Sequence, residues 1–348
     1  MKRKPLRTLS FIVIGALVIG SFYWYYSHYR FTREAQQILE ETGVKGGLIV
    51  HLGCEDSKLT AALHAGDRYI VHGLARSKKD VERARQRILK KGLYGEVTIE
   101  QLEGGQLTYI DNLVNLLVVQ QAGNVDMGEI MRVLTPGGVA CLREDGEWRT
   151  KTKPRSGDID EWTHFLHGPD NNAVARDREA GPPRRMQWLS EPMWIRSHHT
   201  LASISSVVSS GGRVFYIADE SPAASMDISS NWKLVARDAF NGTLLWKKSI
   251  STWTDHLRSF RSGPVQLPRL LVAENDRVYV PLGVNDTLKA LDAATGKVVR
   301  TYPQAQRVEE IVVNDGLVFA VTGKPVPEQA VNRQKWQNES EQPRKTLP

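Results

Sequence analysis

Cysteine is scarce in this chain. Two cysteines, Cys54 and Cys141, occur among 348 residues, and they lie far apart in the sequence. This spacing excludes a CxxC motif and the clustered thiolates of a structural zinc site. Nothing in the pattern supports a disulfide, so the sequence predicts two buried thiols that behave as small apolar side chains.

The sequence also lacks the alternation of basic and aromatic residues that is typical of a nucleic-acid-binding surface. The formal net charge is +7, but the basic residues are dispersed along the chain. Residues 76–91, RSKKDVERARQRILKK, hold part of the excess and predict a helix with a solvated charged face. We therefore expect no nucleic-acid partner.

Charge is absent from one stretch near the N-terminus. Residues 9–26, LSFIVIGALVIGSFYWYY, follow the basic segment 1–7, MKRKPLR, and end in an aromatic belt of Tyr23, Trp24, Tyr25 and Tyr26. A helix of this length would extend about 27 Å, close to the thickness of the hydrocarbon core of a bilayer. The sequence predicts a membrane anchor over residues 1–30, single-pass in the inner membrane, with the N-terminus inside and the main body extracytoplasmic. A cleaved signal peptide is the alternative, although no small-residue cleavage site follows the run.

Residues 31–145 predict an α/β domain. A helical pattern over 31–45 leads into five apolar segments: GLIVHL, RYIVHGL, EVTIEQL, NLLVVQ and GVACLRE. Helical stretches at 56–65, 77–91 and 126–134 separate some of these segments, and the last of them ends at the turn TPGG. This alternation predicts a parallel sheet covered by helices.

Residues 201–323 change to short strand patterns separated by turns such as Asn241-Gly242 and Thr295-Gly296. Residues 232–248 align with residues 286–302, and a third unit begins near residue 309. The period and the strand content predict about two and a half β-propeller blades. Residues 146–200, without a sustained period, are interpreted as a linker and entry segment, and residues 324–348 as a polar tail.

The entry segment concentrates acidic and histidine side chains: Asp158, Asp160, Glu161, His164, His167 and Asp170. These are residue types that bind metals, and His164 and His167 are three positions apart. The segment has no apolar stripe and ends in the turn residues Gly-Pro-Asp-Asn. We therefore predict a loop that caps the propeller entrance, with no metal bound.

Two resemblances follow from these motifs. Residues 46–143 resemble a class I S-adenosylmethionine-dependent methyltransferase domain, through VHLGCEDSKLTAAL, HGLARSKKDVERARQRI and EIMRVLTPGGVACL. Residues 201–323 resemble pyrroloquinoline-quinone-type β-propeller repeats, through ARDAFNGTLLWK and ALDAATGKVVR. The stretch DEWTHFLHGPDNNAV is similar to the entry segment of large bacterial envelope proteins that carry a methyltransferase-like domain before the blades. The resemblance implies a Rossmann-like α/β fold followed by a partial all-β propeller.

The methyltransferase resemblance places the cofactor turn at Gly53, Cys54, Glu55 and Asp56. The family has G-x-G-x-G here, whereas this chain keeps Gly53 and carries Glu55 and Ser57 at the next two glycine positions. The second strand ends in HGLARS, without the acid that holds the ribose hydroxyls in such folds. We therefore expect a degenerate turn. S-adenosylmethionine remains a possible cofactor, and no residue is assigned as catalytic.

The propeller resemblance implies a second possible cofactor, the quinone PQQ. Quinone dehydrogenases of this fold need a closed ring of blades, a calcium ion and often two adjacent cysteines. This chain has too few blades and no adjacent cysteines, so we do not expect this chain by itself to bind PQQ. The sequence favours a membrane-anchored envelope scaffold with a protein partner. The alternatives are a methyltransferase, the expected reaction if the chain is an enzyme, and a truncated copy of a quinone-dependent dehydrogenase.

Overall fold

The computed structural model describes residues 29–179, 181, 186–192, 202–222, 229–254, 257 and 266–327. The chain divides into two compact units, unit 1 (Met1–Lys153) and unit 2 (Pro154–Pro348). The predicted anchor run 9–26 and most of the predicted polar tail 324–348 lie outside the described residues. None of the helices in the described part combines the length and the hydropathy needed to span a bilayer.

Unit 1 is built on one six-stranded sheet with the order β3-β2-β1-β4-β5-β6. Its strands are β1 (Gly47–Leu52), β2 (Tyr69–Ala75), β3 (Val97–Gln101), β4 (Val114–Val119), β5 (Leu134–Glu144) and β6 (Glu147–Thr152). The first five strands run parallel, and β6 joins the edge antiparallel to β5. The predicted α/β architecture with a parallel sheet is thereby confirmed.

Helices cover both faces of this sheet. They are α1 (29–42), α2 (Lys58–Leu63), α3 (Lys78–Lys90) and α4 (Met127–Val133). Ile49 and Leu116 on one face share a buried core with α1, α2 and α3, whereas Val50 and Leu117 on the other face pack with α4. Because β1 and β4 are covered on both faces, they read as continuous apolar runs in the sequence.

Unit 1 extends further than the boundary that we predicted at residue 145. β6, with the sequence EWRTKT, pairs with β5 from Val139 to Glu144. All but one of its residues are exposed, so its side chains carry no apolar pattern that would mark a strand. Lys153 closes the unit, since its Nζ donates to Asn112 Oδ1 (2.6 Å) and to the Leu134 carbonyl (2.8 Å).

In its described residues, unit 2 contains two four-stranded sheets and one strand pair, which confirms the predicted all-β organisation. We call these three groups of strands blades. The first sheet comprises β7 (Ile204–Ser210), β8 (Arg213–Asp219), β9 (Trp232–Asp238) and β10 (Leu244–Ser249). The second comprises β11 (Val272–Glu274), β12 (Arg277–Pro281), β13 (Thr287–Asp292) and β14 (Val298–Gln306). The pair is β15 (Val308–Asn314) and β16 (Leu317–Thr322). All pairings within them are antiparallel.

The internal repeat is visible as a repeated contact between an indole ring and a turn glycine. Trp246 lies against Gly296, where a Cβ atom would be 2.7 Å from the ring, and its Nε1 donates to the Ala293 carbonyl (2.9 Å). Trp188 makes the same contact with Gly242 and donates to the Ala239 carbonyl (3.0 Å). The aligned glycines are therefore needed because a side chain at either position would clash with the tryptophan ring packed there.

Candidate functional site

The predicted cofactor turn lies at the switch point of the sheet in unit 1. β1 and β4 are neighbours there, but the chain leaves them toward opposite faces, and folds of this class bind ligands outside such carboxyl ends. Gly53 has a φ of +86°, and a Cβ atom on it would lie 2.9 Å from the Gln121 amide nitrogen. The close approach that glycine permits is therefore used by the chain's own loop after β4.

The side chain of Cys54 points away from this opening. It is 1% exposed and belongs to the buried core, and a Cβ atom on Gly73 would lie 2.8 Å from its Sγ. Burial raises the pKa of the Cys54 thiol to about 12, so the thiol is neutral and not a nucleophile at pH 7. Cys141 is also free and buried, which confirms the prediction of two buried thiols.

The two acidic residues of the turn are exposed. Asp56 Oδ1 accepts a hydrogen bond from the Lys58 backbone amide (2.9 Å), and its carboxylate lies 3.6 Å from Lys58 Nζ. The Asp56 carbonyl also accepts a hydrogen bond from the Arg87 guanidinium. Asp56 thus organises the start of α2, and Glu55 adds an exposed negative charge beside it.

Arg76 occupies the place where the family resemblance leads us to look for an acid. It follows β2 directly, and its Nη2 donates to the Ala122 carbonyl after β4 (3.0 Å). β1 lies between β2 and β4, so the Arg76 side chain crosses the carboxyl end of β1. A Cβ atom on Gly123 would lie 1.7 Å from Arg76 Nη2, which shows how closely the guanidinium covers that loop.

A partly buried hydrogen-bonded pair, which the sequence did not reveal, joins β2 to the loop after β3. The Tyr109 hydroxyl lies 2.7 Å from His72 Nδ1, and His72 Nε2 lies 3.7 Å from Glu100. Burial lowers the pKa of His72 and raises the pKa of Tyr109. Both groups are therefore neutral at pH 7, and the pair holds the loop after β3 against the sheet.

The arginine of the stretch EIMRVLTPGGVACL, Arg132, secures the same loop. Arg132 donates to the carbonyls of Leu107 (3.1 Å) and Tyr109 (2.9 Å) and pairs with Asp111 (2.6 Å) and Glu129 (2.7 Å). Hydrogen bonding to Arg132 lowers the pKa of Glu129, so this carboxylate stays charged. In this chain, Arg132 has a structural role.

In unit 2, the acidic and histidine-rich segment hydrogen-bonds to the first strand of each sheet. We call residues 160–167 the inner-strand segment. Trp162 exchanges hydrogen bonds with Ser209 on β7, and the Thr163 carbonyl accepts from Ala273 on β11 (3.0 Å). His164 Nε2 accepts from the Val313 amide on β15 (3.1 Å). The segment therefore links the three blades of the described residues.

Two histidines and one carboxylate of the inner-strand segment make contacts within the protein. Burial lowers the pKa of His164 to about 4, so its Nε2 stays an unprotonated acceptor. Asp160 lies 2.7 Å from His167 Nε2; burial opposes its charge, but hydrogen bonds from Arg176, Glu161 and His167 hold its pKa below its usual value. Within the described residues, no group of three His, Cys, Asp or Glu side chains has the geometry of a metal site.

One family model matches part of unit 2. Residues 232–347, less than half of the chain, match a PQQ-type family model described as outer membrane protein assembly factor BamB. A comparison with curated protein sequences gave no significant match.

Solved structures resemble the chain over about a third of its length. One, provisionally described as an S-adenosyl-L-methionine-dependent methyltransferase of Methanococcus maripaludis, is 24% identical over 32% of this chain and 54% of its own, with a TM-score of 0.30. A methyltransferase from Aquifex aeolicus is 20% identical over 34% and 69% (TM-score 0.29). Geranyl diphosphate C-methyltransferase from Streptomyces coelicolor is 17% identical over 32% and 44% (TM-score 0.30). The match thus spans about half of the first of these proteins, and the likeness concerns the fold alone. The chain joins a Rossmann-like α/β unit to antiparallel β-sheets, part of which match a PQQ-type family model.

Proposed function

We propose that this protein is a membrane-anchored scaffold of the bacterial envelope, whose methyltransferase-like unit does not catalyse methyl transfer. The observation that carries the proposal is the path of Arg76 across the carboxyl end of β1 to the Ala122 carbonyl. A cofactor in this fold would lie in that crevice, with its ribose held by an acid at the end of β2. In this chain, the positively charged Arg76 side chain lies at the end of β2 instead, and Gln121 fills the space beside Gly53.

The second unit supports the same proposal. In the inner-strand segment, His164 Nε2 accepts from the Val313 amide, and His167 Nε2 lies within hydrogen-bonding distance of Asp160, so these groups are engaged within the protein. A polar cluster used in this way stabilises the blades and leaves its side chains less free to bind a ligand. The exposed outer surfaces of the two units are then the surfaces available to an envelope protein partner.

Calorimetry on the full-length protein in a neutral detergent tests the loss of cofactor binding. Titration with S-adenosylmethionine is expected to give no saturable heat, either for the wild type or for Arg76→Ala, which opens the crevice. A saturable heat in the wild type that disappears in Gly53→Ala but persists in Gly137→Ala would overturn the proposal. The control is matched, because Gly137 has a similar φ of +82° but an open surrounding.

The alternative is a working S-adenosylmethionine-dependent methyltransferase, and the positive φ of Gly53 favours it, since the turn keeps this backbone conformation. Calorimetry separates the two functions directly.

Membrane anchorage has its own test. Washing membranes with alkaline carbonate removes peripheral proteins, so an integral protein should stay in the membrane fraction. Recovery of the full-length chain in the wash would refute the anchor while leaving the result on the cofactor untouched.

A further inference from the structure

A groove beside the helices of unit 1 combines an apolar floor with a basic rim. It lies between α1, α2 and the end of α3 and has a volume of about 730 Å³, the size of a ligand pocket. Its floor consists of small or apolar side chains: Phe31, Ala61, Ala62, Ala65 and Leu93. Its remaining uncharged lining residues are Thr32, Gln36 and His64.

Three basic side chains line the rim of this groove: Lys58, Arg87 and Lys91. Of the described residues that line the groove, none is acidic. Lys58 Nζ lies 5.3 Å from the centre of the Phe31 ring and 3.6 Å from the Asp56 carboxylate, which is its nearest counter-charge. Lys91 is exposed at the end of α3. The groove thus presents positive charge beside an apolar surface.

We propose that this groove binds one anionic phospholipid molecule, with an acyl chain on the alanine-lined floor and the phosphate on Lys58 and Lys91. An ammonium group beside an apolar surface suits a ligand that has a charged head and an apolar tail. The source of the lipid rests on the proposed function, because Phe31 follows the predicted anchor run 9–26 almost directly in the sequence. The groove would then hold a lipid of the membrane in which the chain is anchored.

The test uses the full-length protein in a neutral detergent and two probes with the same acyl chain, lysophosphatidylglycerol and lysophosphatidylcholine. Native mass spectrometry of an equimolar mixture measures which lipid is retained on the protein. We expect retention of the anionic lipid to exceed that of the zwitterionic lipid by about tenfold, because only the former has a net negative charge to pair with the rim.

Two pairs of substitutions locate the bound lipid. The double variant Lys58→Glu, Lys91→Glu should abolish the preference for the anionic lipid. Lys78→Glu, Lys79→Glu changes the net charge equally on exposed residues of α3 that do not line the groove, so the preference should persist. Arg87 is left unchanged because it hydrogen-bonds to the Asp56 carbonyl. Ala65→Trp, at an exposed lining position, should reduce retention of both lipids by filling the floor.

Three outcomes would overturn the inference: equal retention of both lipids, equal loss of preference in both double variants, or no retention because a protein segment fills the groove. All of these measurements are made without a bilayer. A failure here is therefore distinguishable from a failure of the membrane anchor, which the carbonate wash tests.

Discussion

The closeness of Gln121 to Gly53 makes a quantitative prediction for Gly53→Ala. An alanine at a φ of +86° costs about 1–2 kcal/mol of backbone energy. Its Cβ would also lie 2.9 Å from the Gln121 amide nitrogen and 3.1 Å from the Gln121 Cβ, so the loop after β4 must shift. Overpacking of this kind costs a further 1–3 kcal/mol or so, and the free energy of unfolding of unit 1 should fall by about 2–5 kcal/mol.

Gly137→Ala measures the backbone contribution alone, so the difference between the two variants gives the cost of overpacking against Gln121. Gly137 has a φ of +82°, and no heavy atom lies within 4 Å of a Cβ placed there, so only the backbone cost of about 1–2 kcal/mol applies. Hydrogen exchange of the β1 and β4 amides, followed peptide by peptide, reports the opening free energy of unit 1 separately from the blades. If both variants lost the same free energy, Gln121 would not fill the crevice and the argument against a cofactor site would fail.

Two further predictions concern unit 2. The pKa of His164 is about 4 in the folded state against an ordinary 6.5, so the unfolded chain binds more protons between these values. The stability that His164 contributes is complete above pH 6.5 and is lost as the pH falls, by about 2 kcal/mol at pH 5. Urea unfolding followed by tryptophan fluorescence should show this loss in the wild type and a smaller one in His164→Gln, and an unchanged pH dependence in His164→Gln would contradict the assignment. Trp246→Ala removes the ring packed on Gly296 and should lower the free energy of unfolding by about 3–5 kcal/mol. Trp246→Phe keeps an apolar ring and loses mainly the hydrogen bond to the Ala293 carbonyl, so the free energy of unfolding should fall by about 1 kcal/mol. Equal losses of unfolding free energy in these two variants would show that the ring itself does not hold the blades together.

The elements that the sequence predicted well are those whose side chains are buried in a regular pattern. β1 and β4 are apolar throughout because both faces of the sheet are covered. The blades were found because the turn ending at Gly242 recurs at Gly296, and each turn receives a tryptophan ring. β6 was missed because an exposed edge strand carries no such pattern.

The candidate site was predictable in part. The sequence showed that Glu55 and Ser57 replace two family glycines and that no acid follows β2. It could not show that Arg76 reaches the loop after β4, because that contact joins residues 46 positions apart through the path of a flexible side chain. The pair of His72 and Tyr109 was missed for the same reason, since neither residue belongs to a recognisable spacing.

The inner-strand segment also constrains when unit 2 can finish folding during synthesis. His164 is made before any of the blades, yet its partner Val313 follows 149 positions later. Long-range contacts of this kind form slowly because a large loop must close first. The nascent chain must therefore leave the ribosome as far as β15 before the edges of the first two blades are tied to the third. Until then those edges are open to chaperones, and a translational pause before residue 313 would prolong that exposure.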